Sequence, residues 1–229
     1  MIQSIGEYRK EEHPRISGYE FCVLCLATFA APKDLILPKL QETLEELKTR
    51  VLDEDDYKKY RARVLLVGSE MDDPDYIKTI EDAGALVVYD RFCFGSYPSR
   101  LEIPLNDEED VLYQICKFNV LHCQCPRFMD TPSINARKEI VSELAKEYHA
   151  DGIVIEQMKF CNFWGYERAA ESYILREEMN WPVLSLDKPY VGGGAGQLRT
   201  RVQAFVESIE IKKIQNQEAQ GGEAAWEKR

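Results

Sequence analysis

Four short apolar runs that alternate with amphipathic segments constrain the fold of this chain more than any other feature. The runs cover residues 63–68, 85–89, 152–156 and 182–186, and Val, Ile and Leu dominate them. Runs of this length and composition are typical of strands that are buried on both faces, as in a parallel sheet. The pattern predicts an α/β domain with a Rossmann-like or flavodoxin-like fold, in which a parallel four-stranded sheet carries helices on both faces.

The segments between and around these runs have helical spacing of apolar residues. They predict helices that begin at Asp73, Asp110 and Thr131, a helix over 166–180, and a last helix from about Gly196 to Ile211. Residues 1–60 also have helical spacing. We therefore divide the chain into a helical amino-terminal segment (1–60), an α/β domain (61–211) and a tail (212–229), which we expect to be disordered because it has no periodicity.

Composition and charge exclude several classes of function. Apolar residues make up 45% of the chain and charged residues 30%, which is typical of a globular protein. The net charge of −11 argues against a broad nucleic-acid interface, because phosphate backbones require clustered Lys and Arg. No apolar run approaches the ~18 residues of a membrane span, and the first residues lack the apolar stretch of a signal peptide. We therefore expect a cytoplasmic protein without a membrane partner.

Cysteines are the residues that most strongly suggest chemistry. Cys93 follows the second predicted strand and Cys161 the third, so both are expected at the carboxyl edge of the sheet, where α/β folds bind ligands. Thiolates are the preferred ligands of iron–sulfur clusters. Cys125 follows a predicted helix and is a third candidate, because it can still face the strand ends. The alternative for each is that of a small buried hydrophobic residue.

The remaining cysteines favour other roles. Cys22 and Cys25 form a Cys-x-x-Cys pair, but they lie in an apolar helical stretch with no second pair at zinc-like spacing, which favours core packing. Cys116 lies within a predicted helix and is also expected to pack. Cys123 is separated from Cys125 by one residue, which is poor spacing for a single tetrahedral metal.

A glycine-rich loop at 191–197 opens the last helix and suggests anion binding. Backbone amides and the helix dipole favour an anion at such a position, and Arg199 and Arg201 add positive charge. Gln197 replaces the third glycine of a dinucleotide fingerprint, and no Gly-Lys-Ser/Thr of a phosphate loop follows. A flexible loop without a ligand is the alternative. Trp164, next to Cys161 in the sequence, has two interpretations as well: an aromatic pocket or core packing.

Four motifs resemble the 2-hydroxyacyl-CoA dehydratase family, which includes the ATP-dependent benzoyl-CoA reductases. They lie at 90–96 (Asp-Arg-Phe-Cys-Phe-Gly-Ser), 125–128 (Cys-Pro-Arg-Phe), 151–161 (Asp-Gly-Ile-Val-Ile-Glu-Gln-Met-Lys-Phe-Cys) and 194–205 (Gly-Ala-Gly-Gln-Leu-Arg-Thr-Arg-Val-Gln-Ala-Phe). The resemblance extends from about Ser17 to Ile211. The stretch from Lys159 to Gly165 is more similar to the benzoyl-CoA reductase branch than to the dehydratases.

The resemblance implies an iron–sulfur enzyme subunit. Family members pair two related subunits that hold [4Fe–4S] clusters, and a separate ATP-hydrolysing activator supplies one electron at very low potential. The electron reaches a thioester-activated acyl group, which leads either to ring reduction or to loss of water. Cys161 matches the family's carboxy-terminal cluster ligand. Cys93 and Cys125 lie in family motifs, and Gly196, Gln197 and Arg199 match the motif at the last helix, beside the cluster or the coenzyme.

Three functions follow as expectations. The first is an oxidoreductase subunit of the benzoyl-CoA reductase type, and the second is a lyase subunit that dehydrates a 2-hydroxyacyl-CoA. The third is a non-catalytic partner that binds an acyl-CoA or stabilises a full-length subunit without its own cluster. Family members are typically longer and have a further amino-terminal domain, so we expect this chain to correspond to the carboxy-terminal half of a subunit.

Overall fold

The computed structural model describes residues 1–97, 102–122, 124–128, 130–190 and 194–226. Within these ranges four parallel strands form one sheet, in the spatial order β2–β1–β3–β4. Their bounds are β1 (Ala62–Gly68), β2 (Ala85–Arg91), β3 (Gly152–Met158) and β4 (Val183–Lys188). The predicted α/β fold with a four-stranded parallel sheet is confirmed, and its order is that of the first four strands of a flavodoxin-like sheet.

Nine α-helices are described, four of them before the first strand. The first four are α1 (Ile2–Glu7), α2 (Gly18–Ala30), α3 (Lys33–Thr49) and α4 (Glu54–Lys58). The others are α5 (Pro74–Asp82), α6 (Val111–Leu121), α7 (Thr131–Glu147), α8 (Asn162–Tyr173) and α9 (Ala195–Trp226). A π-helical turn (Ile174–Glu178) follows α8. None of the helices in the described ranges is both long enough and apolar enough to cross a membrane.

Helices cover both faces of the sheet, as the continuous apolar runs predicted. Helices α2, α5 and α9 pack on one face, where Val64, Leu66, Val87 and Val154 belong to the same buried cluster as residues of α5 and α9. Helices α7 and α8 pack on the other face. That cluster contains Leu65, Val67, Val88, Ile153 and Ile155 from the strands and Val141, Leu144, Trp164 and Leu175 from the helical layer. The alternation of neighbouring residues between the two clusters follows from the two-residue period of a strand.

The amino-terminal helices are joined to the α/β layers by buried polar contacts. Glu81 of α5 accepts hydrogen bonds from the first amides of α2, those of Gly18 (2.8 Å) and Tyr19 (3.2 Å). A Cβ atom on Gly18 would lie 2.5 Å from Cβ of Val87 and 2.8 Å from its carbonyl oxygen, so α2 begins directly against β2. The first helices also form their own small core, which includes Ile5, Phe21 and Leu47 among its buried residues.

Some element boundaries differ from those predicted. Helix α8 begins at Asn162 rather than at 166, so Gly165 lies inside the helix. The side-chain amide of Gln157 packs close to this glycine. Helix α9 continues past Ile211 to Trp226, although residues 212–226 lack apolar periodicity. The division of the chain into three parts stays a prediction.

The cysteines away from the sheet edge have mixed outcomes. Cys22 and Cys25 are buried, as predicted for core packing, and burial raises the pKa of both thiols, that of Cys22 to about 12. The prediction that Cys116 packs in the core was wrong: this residue is exposed on α6. The neighbouring apolar residues of α6 do not indicate which side of the helix is buried, because several of them, including Leu112 and Leu121, are exposed as well.

A matched pair of substitutions tests the contact between α2 and the sheet. We expect Gly18→Ala to lower the free energy of unfolding by about 1–3 kcal/mol, since the new methyl group meets the backbone of β2. Gly196→Ala, also in the first turn of a helix, has nothing within 4 Å of the new Cβ. It should stabilise the protein by up to about 1 kcal/mol through helix propensity. Urea unfolding measures both, and equal effects of the two changes would contradict the contact.

Candidate functional site

The carboxyl ends of the four strands lie on one edge of the sheet, and the direction of winding changes between β1 and β3. The chain leaves β1 towards β2 on one side and later returns to pair β3 with β1 on the other side. In open α/β sheets this switch point is where ligands bind. Gly68 and Glu156 are paired across it, and a Cβ atom on Gly68 would lie only 2.6 Å from the Glu156 carbonyl oxygen and from its carboxylate.

Glu156 is a fully buried acid at this point, with 0% exposure. Ser69 donates a hydrogen bond to its Oε2 (3.0 Å) and accepts one from the Met158 amide (2.7 Å), whereas Oε1 has no partner. Burial raises the pKa of Glu156 to about 7, although the Ser69 hydrogen bonds and the charge of Lys188 act in the opposite direction. The sequence analysis missed this residue as a candidate. The only available signal was an acid at the end of an otherwise apolar run.

The turn that contains Cys93 is held by a buried ion pair. Arg9 of the amino-terminal segment is 1% exposed and lies 2.8 Å from the carboxylate of Asp90, the penultimate residue of β2. Asp90 also accepts hydrogen bonds from the amide (2.8 Å) and hydroxyl (3.0 Å) of Ser96. Gly95 is required here, because a Cβ atom would lie 1.8 Å from Asp90 Oδ2. The motif at 90–96 therefore fixes the turn that presents Cys93, which is half-buried.

The loop that contains Cys125 is attached to the same edge by two arginines. Arg91, the last residue of β2, donates hydrogen bonds to the side chain (2.7 Å) and the carbonyl (3.3 Å) of Gln124. Arg137 of α7 donates to the carbonyl of Phe128 at 2.8 Å. Cys125 itself is half-buried. Burial acts to lower the pKa of Arg137, but the hydrogen bond and the charge of Glu167 raise it, with a smaller contribution from Cys125. Cys125 therefore lies in a basic environment next to α7.

Arg137 also connects this loop to α8. Its guanidinium contacts both carboxylate oxygens of Glu167, at 2.6 and 2.9 Å, and both side chains are buried. One turn further along α8, Glu171 is fully buried and neither of its oxygens has a hydrogen-bond partner. Burial raises the pKa of Glu171 to about 7 against the opposing charge of Arg91.

Cys161 is the N-cap residue of α8 and follows the end of β3 by three residues. Phe160, immediately before it, has a φ of +70° and is 97% exposed, so the backbone turns sharply between strand and helix. Gln157 donates a hydrogen bond to the Cys161 carbonyl at 3.2 Å. Cys161 is half-buried against the cluster that contains Trp164. The indole of Trp164 is buried in this cluster, as expected for core packing.

The fold thus brings Cys93, Cys125 and Cys161 to loops at the same edge of the sheet. Their chemistry suits iron, but the number of ligands is incomplete: among the residues that the structure describes, no three His, Cys, Asp or Glu side chains are close enough to share a metal ion. Cys123 lies outside the described residues. The assignment of each thiol as a ligand stays a prediction.

A cleft of about 410 Å³ lies beyond the end of β4, between the first turns of α5 and α9. Gln197 lines it, together with Gly194 and Ala195 at the start of α9. Gly196 lies between these residues in the same turn but is not part of the wall, and Arg199 is exposed outside the cleft. Of the three predicted anion-binding residues, only Gln197 therefore lines the cleft, whereas Gly196 and Arg199 lie next to it. Residues 191–193 lie outside the described residues.

Comparison with known proteins identifies relatives over most of the chain. Residues 1–209 match the family model described as 2-hydroxyglutaryl-CoA dehydratase, D-component. A relative in Escherichia coli (strain K12), named "Putative dehydratase subunit YjiM", is 26% identical over 200 residues. The alignment covers 86% of this chain and 50% of the relative, so the chain spans about half the length of that protein.

The raised pKa of Glu156 predicts a pH-dependent stability. Between the ordinary value of 4.5 and about 7, the folded state binds more protons than the unfolded state, so the free energy of unfolding falls as the pH rises. Glu156→Gln cannot ionise and should lose this dependence. Relative to its value near pH 4.5, the stability difference between variant and wild type should grow by about 3 kcal/mol by about pH 8.

Urea unfolding at a series of pH values measures this difference. Glu139→Gln is the matched control, because it makes the same change at a carboxylate that lies exposed on α7. A difference for Glu156→Gln that stays constant across the range would mean that the carboxyl group titrates normally in the folded protein.

Proposed function

This chain belongs to the family of the 2-hydroxyglutaryl-CoA dehydratase D-component, and from this premise we propose that it acts in an iron–sulfur enzyme that dehydrates a 2-hydroxyacyl-CoA. The observation that carries the proposal is the position of Cys93, Cys125 and Cys161 on three loops at one edge of the sheet. Each loop is held by a hydrogen bond to the end of a strand, and these bonds are buried or partly buried. Cysteines that serve only as small hydrophobic residues of the core would not need to lie together at one edge. All three are also half-buried rather than fully buried.

In this proposal Cys161 is the principal ligand of a [4Fe–4S] cluster. Its position at the N-terminus of α8 suits a thiolate, because helix N-termini stabilise negative charge. Cys93 and Cys125 are the additional candidates, and Arg137 holds the loop of Cys125 through a hydrogen bond to the Phe128 carbonyl. A bound cluster would supply single electrons at low potential to the thioester of the substrate.

The chain's other residues would bind and orient the acyl-CoA. Gly196, Gln197 and Arg199 lie in the first turns of α9, where unpaired amides and positive charge favour the anionic coenzyme. Glu156 and Ser69 lie at the switch point between these turns and the cysteine loops, where a carboxyl group with a pKa near 7 can hold or release a proton.

Partners follow from the incomplete ligand set. The three thiols are not close enough in the described part of the chain to share a metal ion, so a cluster at any one of them would need further ligands from a related iron–sulfur subunit or from another part of the same subunit. An ATP-hydrolysing activator would deliver the electron. The multi-subunit character of the family supports these partners.

A second candidate is a subunit of a benzoyl-CoA reductase. The stretch from Lys159 to Gly165, which resembles that branch, favours it. Two observations reduce its support. The family description and the relative's name both refer to dehydratases. Trp164, the largest aromatic residue of the stretch, lies in the core and is not available to a ring-shaped substrate.

Anaerobic reconstitution with iron and sulfide tests the cluster. We expect the wild-type chain, co-purified with a partner subunit, to show visible charge-transfer absorption and an EPR signal on reduction, and Cys161→Ala to lose both. Cys116→Ala is the matched control, since Cys116 is exposed on α6 and is not one of the three candidate ligands. Iron content equal in the wild type and in Cys161→Ala would contradict the role of Cys161.

The product of the reconstituted enzyme distinguishes the candidates. With an activator and ATP, a dehydratase converts a 2-hydroxyacyl-CoA to an enoyl-CoA, whereas a reductase converts benzoyl-CoA to a cyclic diene. Mass spectrometry separates these products. An iron-free complex that still binds acyl-CoA would instead indicate a non-catalytic partner.

A further inference from the structure

The cleft beyond β4 contains a buried cation for which the structure provides no anion. Lys188, the last residue of β4, is 3% exposed, and its Nζ has no hydrogen-bond partner. Within the described part of the chain it forms no ion pair either. Burying a charged ammonium group without a partner is costly, and proteins keep such groups mainly where a ligand or a reaction uses them.

Glu156 does not provide the missing partner. Burial raises the pKa of Glu156, and the charge of Lys188 lowers it by a smaller amount. Yet Oε1 of Glu156 is also without a partner, and Oε2 bonds to Ser69. The two groups therefore lie in the same buried region without direct contact.

Tyr76 adds an unused hydrogen-bond donor to the same wall. Its ring centroid lies 5.4 Å from Lys188 Nζ, and its hydroxyl group is buried and has no partner. Burial raises the pKa of Tyr76, so the hydroxyl group remains protonated and can donate. Both residues line the cleft.

The first turn of α9 forms the opposite wall. Gly194, Ala195 and Gln197 line the cleft, and the first amide of α9 with a described backbone bond is that of Leu198, which donates to the Gly194 carbonyl at 2.9 Å. The amides before it have no acceptor within the helix, so they carry the positive end of the helix dipole. Arg201, one turn further on, lines the cleft and is held by a bond of 2.6 Å to the Ser185 carbonyl.

Two of the three carboxylates of the cleft already have contacts of their own. Asp187 forms an ion pair with Arg168 at 2.5 Å. Asp73 is the N-cap residue of α5 and accepts the amide of Asp75, so both lie at the positive end of that helix. The cations of the cleft, Lys159, Lys188 and Arg201, form no ion pair with a carboxylate in the described ranges, so they remain available to an anionic ligand.

We propose that this cleft is an oxyanion site for a phosphate group, with Lys188, Tyr76 and the first amides of α9 as its donors. A phosphate has acceptor oxygens enough for a lysine, a hydroxyl group and helix amides at once. A volume of about 410 Å³ exceeds the needs of one phosphate and leaves space for the nucleoside that carries it. As a coenzyme site the cleft depends on the function proposed above, but as a phosphate site it does not.

Calorimetric titration of the iron-free chain tests the site, with inorganic phosphate and adenosine 3′,5′-bisphosphate as separate probes. We expect Lys188→Met to weaken binding roughly tenfold or more, because it removes the one buried charge of the site. Tyr76→Phe should weaken it by a smaller factor, and it removes only a hydroxyl group that has no partner in the fold. Lys48→Met is the matched control, because the side chain of Lys48 is exposed on α3, and it should leave binding unchanged.

The two probes separate the sources of the phosphate. Binding of both with similar affinity supports a general phosphate site, and much tighter binding of the bisphosphate supports the nucleotide end of a coenzyme. Failure of both to bind would overturn the proposal, as would binding by Lys188→Met equal to that of the wild type. Because no cluster is needed, a negative result here is distinct from failure of iron reconstitution.

Discussion

The pairing of β1 with β3 is the interaction on which the rest of the structure depends. Strand β1 pairs with both β2 and β3, so it is central, and residues from both of its faces are fully buried. The pairing reverses the winding of the sheet, which opens the switch point beyond Gly68 and Glu156. It also decides which helices share a face: α5 and α9 lie on one side, and α7 and α8 lie on the other.

Buried charges at the carboxyl edge fall into two groups. Arg9 with Asp90 and Arg137 with Glu167 are paired at short distances, and each pair anchors a loop that contains a cysteine. Such pairs are costly to break, because removing one partner leaves a buried charge uncompensated. Glu156, Glu171 and Lys188 form no ion pair in the described part of the chain and have polar atoms without partners, so they add nothing comparable to stability. Unpaired ionisable groups at a ligand-binding edge are more consistent with function than with structure.

The two proposed sites lie at the same edge but on different strands. The cysteine loops follow β2 and β3 and border α7 and α8, whereas the phosphate cleft follows β4 and borders α5 and α9. Glu156 lies between them. In the two proposals, an acyl-CoA that extends along this edge would place its nucleotide at the cleft and its thioester at the cysteine loops.

The sequence alone determined the elements and the edge. Apolar runs predicted the four strands because a strand buried on both faces needs apolar residues at every position, and the residues after each run were therefore expected at one edge. This reasoning placed Cys93 and Cys161 near the strand ends. The apolar helical stretch around Cys22 and Cys25 correctly favoured core packing for both. The residues around Cys116 could not reveal its exposure, because apolar residues on α6 face outward.

Only the tertiary structure decided the strand order and the contacts that cross the fold. Arg9 meets Asp90 over 81 positions of sequence, and Arg137 meets Glu167 over 30. Lys188, Tyr76 and Glu156 come together from three separate elements. Local patterns report burial and period, which are properties of one segment. The identity of the partner across a core depends on how all segments pack together, and no single segment contains that information.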